Sequence, residues 1–148
     1  MKIRTIDLEL IHFFRKISEP CARLGLFVVF FWFGILKVFG MSPASPLVKA
    51  LFERTMPIMP FATFIILFGL FEMLIGILFL IKGCERLVIP LLLFHMVTTI
   101  MPLFMVKSVT WSAMFVPTLE GQYIIKNILI IAAAVGIASH LHPLPRRK

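Results

Sequence analysis

The chain has 148 residues, 60% hydrophobic and only 15% charged, where a soluble domain is nearer half apolar and a quarter charged. Several apolar stretches of about 20 residues cannot all be hidden in a soluble chain this short, so the composition argues against a soluble globular protein. The net charge of +8 is carried by basic residues at the ends of apolar segments, which favours anchoring at a lipid bilayer and excludes nucleic acid as the expected partner.

Residues 1–20 do not read as a signal peptide, because no small-residue cleavage site follows the first apolar span. Within 5–18, Ile6, Leu10, Phe13, Phe14 and Ile17 recur near helical spacing, with Asp7, Glu9, His12, Arg15 and Lys16 mostly elsewhere. This predicts an amphipathic helix in the headgroup layer. Pro20 is then expected to open a new helix, since proline is tolerated in a first turn. A first span over 22–40 is dense in aromatics. Pro43, Pro46, Pro57 and Pro60 interrupt 41–60, which leaves room for a short surface helix at 47–53. A second span is expected over 61–81 and a third over 87–106, joined by the tight connection 82–86. Pro102 should loosen the far end of the third. A loop at 107–120 precedes a fourth span at 121–139, and 141–148 is a basic tail. The predicted fold is all-α: an integral membrane four-helix bundle, up-down-up-down, behind an interfacial helix.

Orientation follows from the basic residues outside the spans. Lys2, Arg4, Arg15, Lys16, Arg23, Lys82, Arg86, Arg146, Arg147 and Lys148 fall on one side, and Lys49, Arg54 and Lys107 on the other. The positive-inside rule places both termini in the cytoplasm. Cys21 and Cys84 form no CxxC pair and no metal-ligand spacing, and read as structural thiols.

Four ionisable residues interrupt the spans: Lys37, Glu72, His95 and Lys126. A charge at mid-helix costs about 3 kcal/mol or more, so such groups face the protein interior and find partners. Glu72 and His95 each lie about 11 residues from the outer end of their span, and so at one level. Lys37 and Lys126 lie about three and five residues from their outer ends, in a layer above. Gly69, Glu72 and Gly76 share a stripe, as do Gly34 and Lys37; small residues mark close helix contact. His95, Thr98, Thr99 and Pro102 form a polar stripe on the third span. Gln122 and Lys126 share a face of the fourth, with Tyr123 and Asn127 on a neighbouring one. The expected arrangement is an outward-opening pocket with Glu72 and His95 at its floor and Lys37 and Lys126 at its rim. Packing is the rival role: the same groups could satisfy one another and fix helix register.

Three motifs then carry a resemblance: Arg23-Leu-Gly-Leu leading into Phe-Trp-Phe-Gly-Ile-Leu-Lys37, Glu72-Met-Leu-Ile-Gly76, and Gly121-Gln-Tyr-Ile-Ile-Lys-Asn127. In these the chain resembles the DoxX-like superfamily of small four-helix bacterial membrane proteins, closest to its YkgB-like branch, over roughly residues 20–140. Arg23, Lys37, Glu72, Gly76, Gly121 and Lys126 match the family pattern. The resemblance implies a bundle in the bacterial cytoplasmic membrane, linked to quinone-coupled oxidation of sulfur compounds and to oxidant resistance.

The leading expectation is a site for a small amphipathic or anionic molecule, with a quinone as the candidate cofactor. Lys37, Glu72, His95, Thr98, Thr99, Gln122, Lys126 and Asn127 would line it. At most the chain would be a membrane subunit of a quinone-linked oxidoreductase, working with a redox partner subunit. The alternatives are a proton-coupled transporter acting as a homodimer, and a non-catalytic membrane subunit or assembly factor.

Overall fold

The computed structural model describes residues 2–141 and 143, with side chains from residue 6 onward. The side chains of Lys2 and Arg4 and most of the 141–148 tail, with its three basic residues, lie outside the described residues. The elements are α1 (Lys2–Val38), α2 (Ser45–Thr55), α3 (Phe61–Leu80), α4 (Glu85–Ile100), α5 (Pro102–Met105), α6 (Lys107–Thr110), β1 (Trp111–Ala113), β2 (Val116–Pro117), α7 (Leu119–Lys126) and α8 (Ile128–Ala138).

Four helical stretches are long and apolar enough to cross a membrane: Ile6–Val38, Phe61–Leu80, Glu85–Met105 and Leu119–Ala138. Phe61–Leu80, Glu85–Met105 and Leu119–Ala138 overlap the expected 61–81, 87–106 and 121–139, and Ile6–Val38 takes in most of the expected 22–40. The expected restart at Pro20 does not occur, because α1 runs without a break through the proline. Proline removes one backbone donor and crowds the preceding turn. Here Arg23 Nε donates to Glu19 Oε1 at 2.9 Å, a side-chain bond that bridges the proline from either side. Ser18 Oγ donates to the Arg15 carbonyl in the same turn. At 37 residues α1 is about 55 Å long, beyond a hydrocarbon core of about 30 Å, so 2–20 extends the first apolar helix rather than forming a separate one.

The other punctuation follows local chemistry. Pro46 sits in the first turn of α2, and Gly83 takes φ +97° in the tight turn before α4. Pro102 opens α5 after a turn at Met101, so the third apolar stretch loosens where the proline predicts. The Thr118 side chain caps α7 by accepting from Gly121 N. Asn127 separates α7 from α8, a division of the fourth span that periodicity does not foretell. The segment 107–120 is more ordered than a loop: α6 is followed by an antiparallel hairpin pairing Trp111 with Pro117.

The core joins α1, α3, α4 and α8 through Phe30, Ile75, Phe79, Leu92, Met96 and Ile137. The outward faces are also apolar, with Trp32, Leu67, Phe94, Val97 and Leu129 all exposed. Meanwhile Arg23, Lys37, Glu72, Glu85 and His95 are buried. Charge inside and hydrocarbon outside invert the arrangement a water-soluble protein adopts.

The long helices α1 and α3 meet backbone to backbone. A Cβ on Gly34 would lie 2.5 Å from the Gly69 carbonyl oxygen, and one on Gly69 would lie 2.6 Å from that of Gly34. Further along, Gly76 meets the backbone of Phe27 and Phe31, so the two helices run in opposite directions. Only glycine permits backbones this near.

Candidate functional site

The Gly34–Gly69 contact sets the site. Lys37 and Glu72 each follow their glycine by three residues, and because the helices run in opposite directions they flank the contact from its two sides. With the backbones in contact, Lys37 Nζ reaches Glu72 Oε2 at 2.6 Å. The second carboxylate oxygen, Oε1, lies 3.0 Å from Nε2 of His95 on α4. Three helices therefore bring two ionisable partners, Lys37 and His95, onto one carboxylate. All three residues are buried, at 5%, 5% and 4% exposure for Lys37, Glu72 and His95.

The imidazole is held on every side. Phe68 stacks on it at 5.1 Å between centroids and 10° between planes. Phe30 meets it edge-on at 5.3 Å, and Phe71 lies at 6.1 Å. Thr99 Oγ1 is 3.3 Å from Nδ1 and also donates to the His95 carbonyl. Thr98 Oγ1 donates to the same carbonyl at 2.7 Å. With the ring proton on Nε2, His95 donates to Glu72, and the single Thr99 hydroxyl proton serves either Nδ1 or the His95 carbonyl. Lys37 Nζ also lies 5.6 Å from the Phe68 ring centre, within cation–π range. The cluster can share a proton between carboxylate and imidazole, with a fixed ammonium beside them.

Five of the expected site residues are thus brought together: Lys37, Glu72, His95, Thr98 and Thr99. The other three are not. Gln122 and Lys126 are exposed, and Lys126 Nζ lies over the ring of its neighbour Tyr123 at 5.6 Å. Asn127 is half-buried at the α7–α8 break. The reason is Gly121: a Cβ there would fall 2.1 Å from the Thr110 carbonyl oxygen. That approach turns Gly121 and Ile124 inward. At 100° per residue Gln122 and Lys126 then point away. The expected rim and floor are corrected too, since Lys37 is as buried as Glu72 and the cluster is closed over.

A second polar cluster escaped the sequence reading, which used Arg23 for orientation and for the family resemblance but gave it no partner. Arg23 Nη1 donates to the Phe79 carbonyl at 3.1 Å, and Nη2 pairs with Glu85. Glu85 in turn accepts from Gly83 N at 2.9 Å. The cluster ties α1 to the α3–α4 connection at the end opposite α2. Its signal was an acidic residue opening α4 directly after a glycine turn, opposite an arginine at the start of an apolar span.

No family model, curated protein or solved structure matches this chain.

Proposed function

We propose that the chain is a multi-pass bacterial inner-membrane protein in which Lys37, Glu72 and His95 form an intramembrane site for a small amphipathic molecule. The ligand class is a quinone or another molecule with an anionic or hydrogen-bonding head group. The physiology proposed is redox or oxidant defence, in line with the DoxX-like resemblance. The four apolar helices form an up-down-up-down bundle with both termini in the cytoplasm. That orientation is supported by Arg15, Lys16, Arg23, Lys82 and Arg86 at one end, against Lys49, Arg54 and Lys107 at the other.

The observation that carries the site is the single Glu72 carboxylate shared by Lys37 and His95 within an aromatic wall. Buried ion pairs add little net stability, and apolar side chains would pack three helices at no desolvation cost. Groups that titrate and donate are what a polar head group needs. Lys37 orients it, Glu72 and His95 exchange protons with it, and Phe30, Phe68 and Phe71 receive its apolar part. Because the cluster is closed, a ligand enters by displacing the Lys37 ammonium from Glu72. Electrons would come from a bound cofactor or a partner subunit.

One observation favours a second reading, a non-catalytic subunit whose cluster fixes helix register: among the described residues no buried side-chain nitrogen or oxygen lacks a hydrogen-bond partner. Calorimetric titration of the detergent-purified chain with a short-chain quinone analogue, beside thermal unfolding, separates the two. The site reading expects binding that the Lys37→Met/Glu72→Gln double variant, which leaves no uncompensated charge, weakens at least tenfold while the melting temperature moves little. No binding by the parent chain, with a large drop in melting temperature for the double variant, supports the register reading and refutes the site.

A further inference from the structure

Between Lys107 and Glu120 the chain carries no charge, yet the β1–β2 tip is prominent. Met114 and Phe115 are 85% and 82% exposed. Phe115 has φ +58°, the one positive value at a non-glycine position among the described residues. Bulky side chains fit that conformation poorly, and asparagine or glycine would serve the turn better. The aromatic side chain therefore serves the turn poorly while presenting its surface outward.

An open groove of about 550 Å³ lies against the tip, lined by Leu103, Phe104, Trp111, Met114 and Phe115. Trp111 is fixed there by donating Nε1–H to the Leu103 carbonyl at 2.9 Å. Lys107 lines the same groove. From α2, Arg54 reaches over to donate to the Met105 carbonyl, two residues before Lys107. One cation thus lines the groove and a second is anchored on the backbone two residues away, where the third apolar stretch ends. Among the described residues neither forms an ion pair with a carboxylate.

We infer that this groove binds an anionic phospholipid of the adjoining leaflet, its phosphate held by Lys107 and Arg54 and an acyl chain lying along Phe104, Trp111 and Phe115. Apolar walls with cations at one end complement a lipid anion, whereas a water-facing loop would not keep an uncharged aromatic tip. The inference rests on the reading that the apolar helices cross a bilayer, and not on the Glu72 site.

Trp32→Phe leaves Trp111 as the sole tryptophan of the full chain, because the sequence holds two. This variant is reconstituted into vesicles of phosphatidylcholine and phosphatidylglycerol, with one or the other lipid brominated, and quenching of Trp111 fluorescence gives relative lipid affinity. Phosphatidylglycerol is expected to be preferred by about fivefold for each basic residue, and Lys107→Ala or Arg54→Ala each to remove its share. Both are exposed side chains, so the fold is expected to persist, and circular dichroism checks it. Equal quenching by the two lipids, or a preference the variants leave unchanged, overturns the inference. Quenching by neither lipid, with cross-linking through position 115 to a second copy, assigns the groove to a dimer and overturns it as well. A chain that washes off vesicles at alkaline pH instead removes the spanning reading on which both proposals stand.

Discussion

Glu72 accepts from Lys37 and His95 at once, one oxygen to each, so removing either partner differs from removing the carboxylate. Lys37→Met leaves a buried carboxylate facing His95 alone, and is expected to cost about 3 kcal/mol, as when one half of a buried pair is lost. The Lys37→Met/Glu72→Gln double variant is expected to recover most of that stability, because no uncompensated charge remains. Denaturant unfolding in detergent micelles measures both; equal stability of single and double variants would show that the pair is not coupled. Glu72 and His95 could be read together from the sequence because their depths agree, while Lys37, expected a layer above, reaches Glu72 through its long side chain. Lys126 was misplaced because periodicity gives the spacing of a helix face but not its direction. That direction comes from the Gly121–Thr110 approach, a contact between residues that carry no charge.

At the level of elements, the α1–α3 glycine contact positions the cluster. Gly69→Ala puts a Cβ 2.6 Å from the Gly34 carbonyl oxygen and 2.9 Å from Lys37 Cβ, with backbone on one side and no room to relax. Separation of the helices is expected to cost about 1–3 kcal/mol and to stretch the Lys37–Glu72 bond. Gly25 is the control: it is exposed on α1 with nothing within 4 Å of an added Cβ. Gly25→Ala is expected to be neutral or to stabilise by up to about 1 kcal/mol through helix propensity. Parallel melting curves of the two variants give the comparison, and equal effects would remove the close-contact account. Element existence was legible from apolar run length and proline punctuation. Several boundaries were not, the Asn127 break between α7 and α8 among them. Pro20 obeys a local rule until the Glu19–Arg23 bond is known, and the hairpin lacks the Asn-Gly or Asp-Gly turn that announces one, because Phe115 occupies the left-handed position.

Across the whole molecule, two buried polar clusters lie along one set of helices, with Arg23–Glu85 near the α3–α4 turn and Lys37–Glu72–His95 toward the α2 and hairpin end. Apolar residues cover the outer faces between them. The proposed orientation makes the hairpin external and the Cys84 turn internal. In intact bacterial cells, Ser112→Cys is expected to react with a membrane-impermeant maleimide, while Cys84 reacts only after lysis; the opposite pattern would invert the orientation. The four long apolar helices were the plainest property of the sequence, since composition and the length of the apolar runs announce them. The closed state of the site was not legible, because burial of Lys37 depends on how near two backbones approach.

The most direct test of the central claim is a crystal structure of the chain grown in a lipidic phase with a short-chain quinone analogue. Density for the head group about 3 Å from Lys37 Nζ or His95 Nε2, with Lys37 moved off Glu72, is the predicted result. A saturated crystal in which the three side chains stay locked together and the analogue lies elsewhere or nowhere would contradict it.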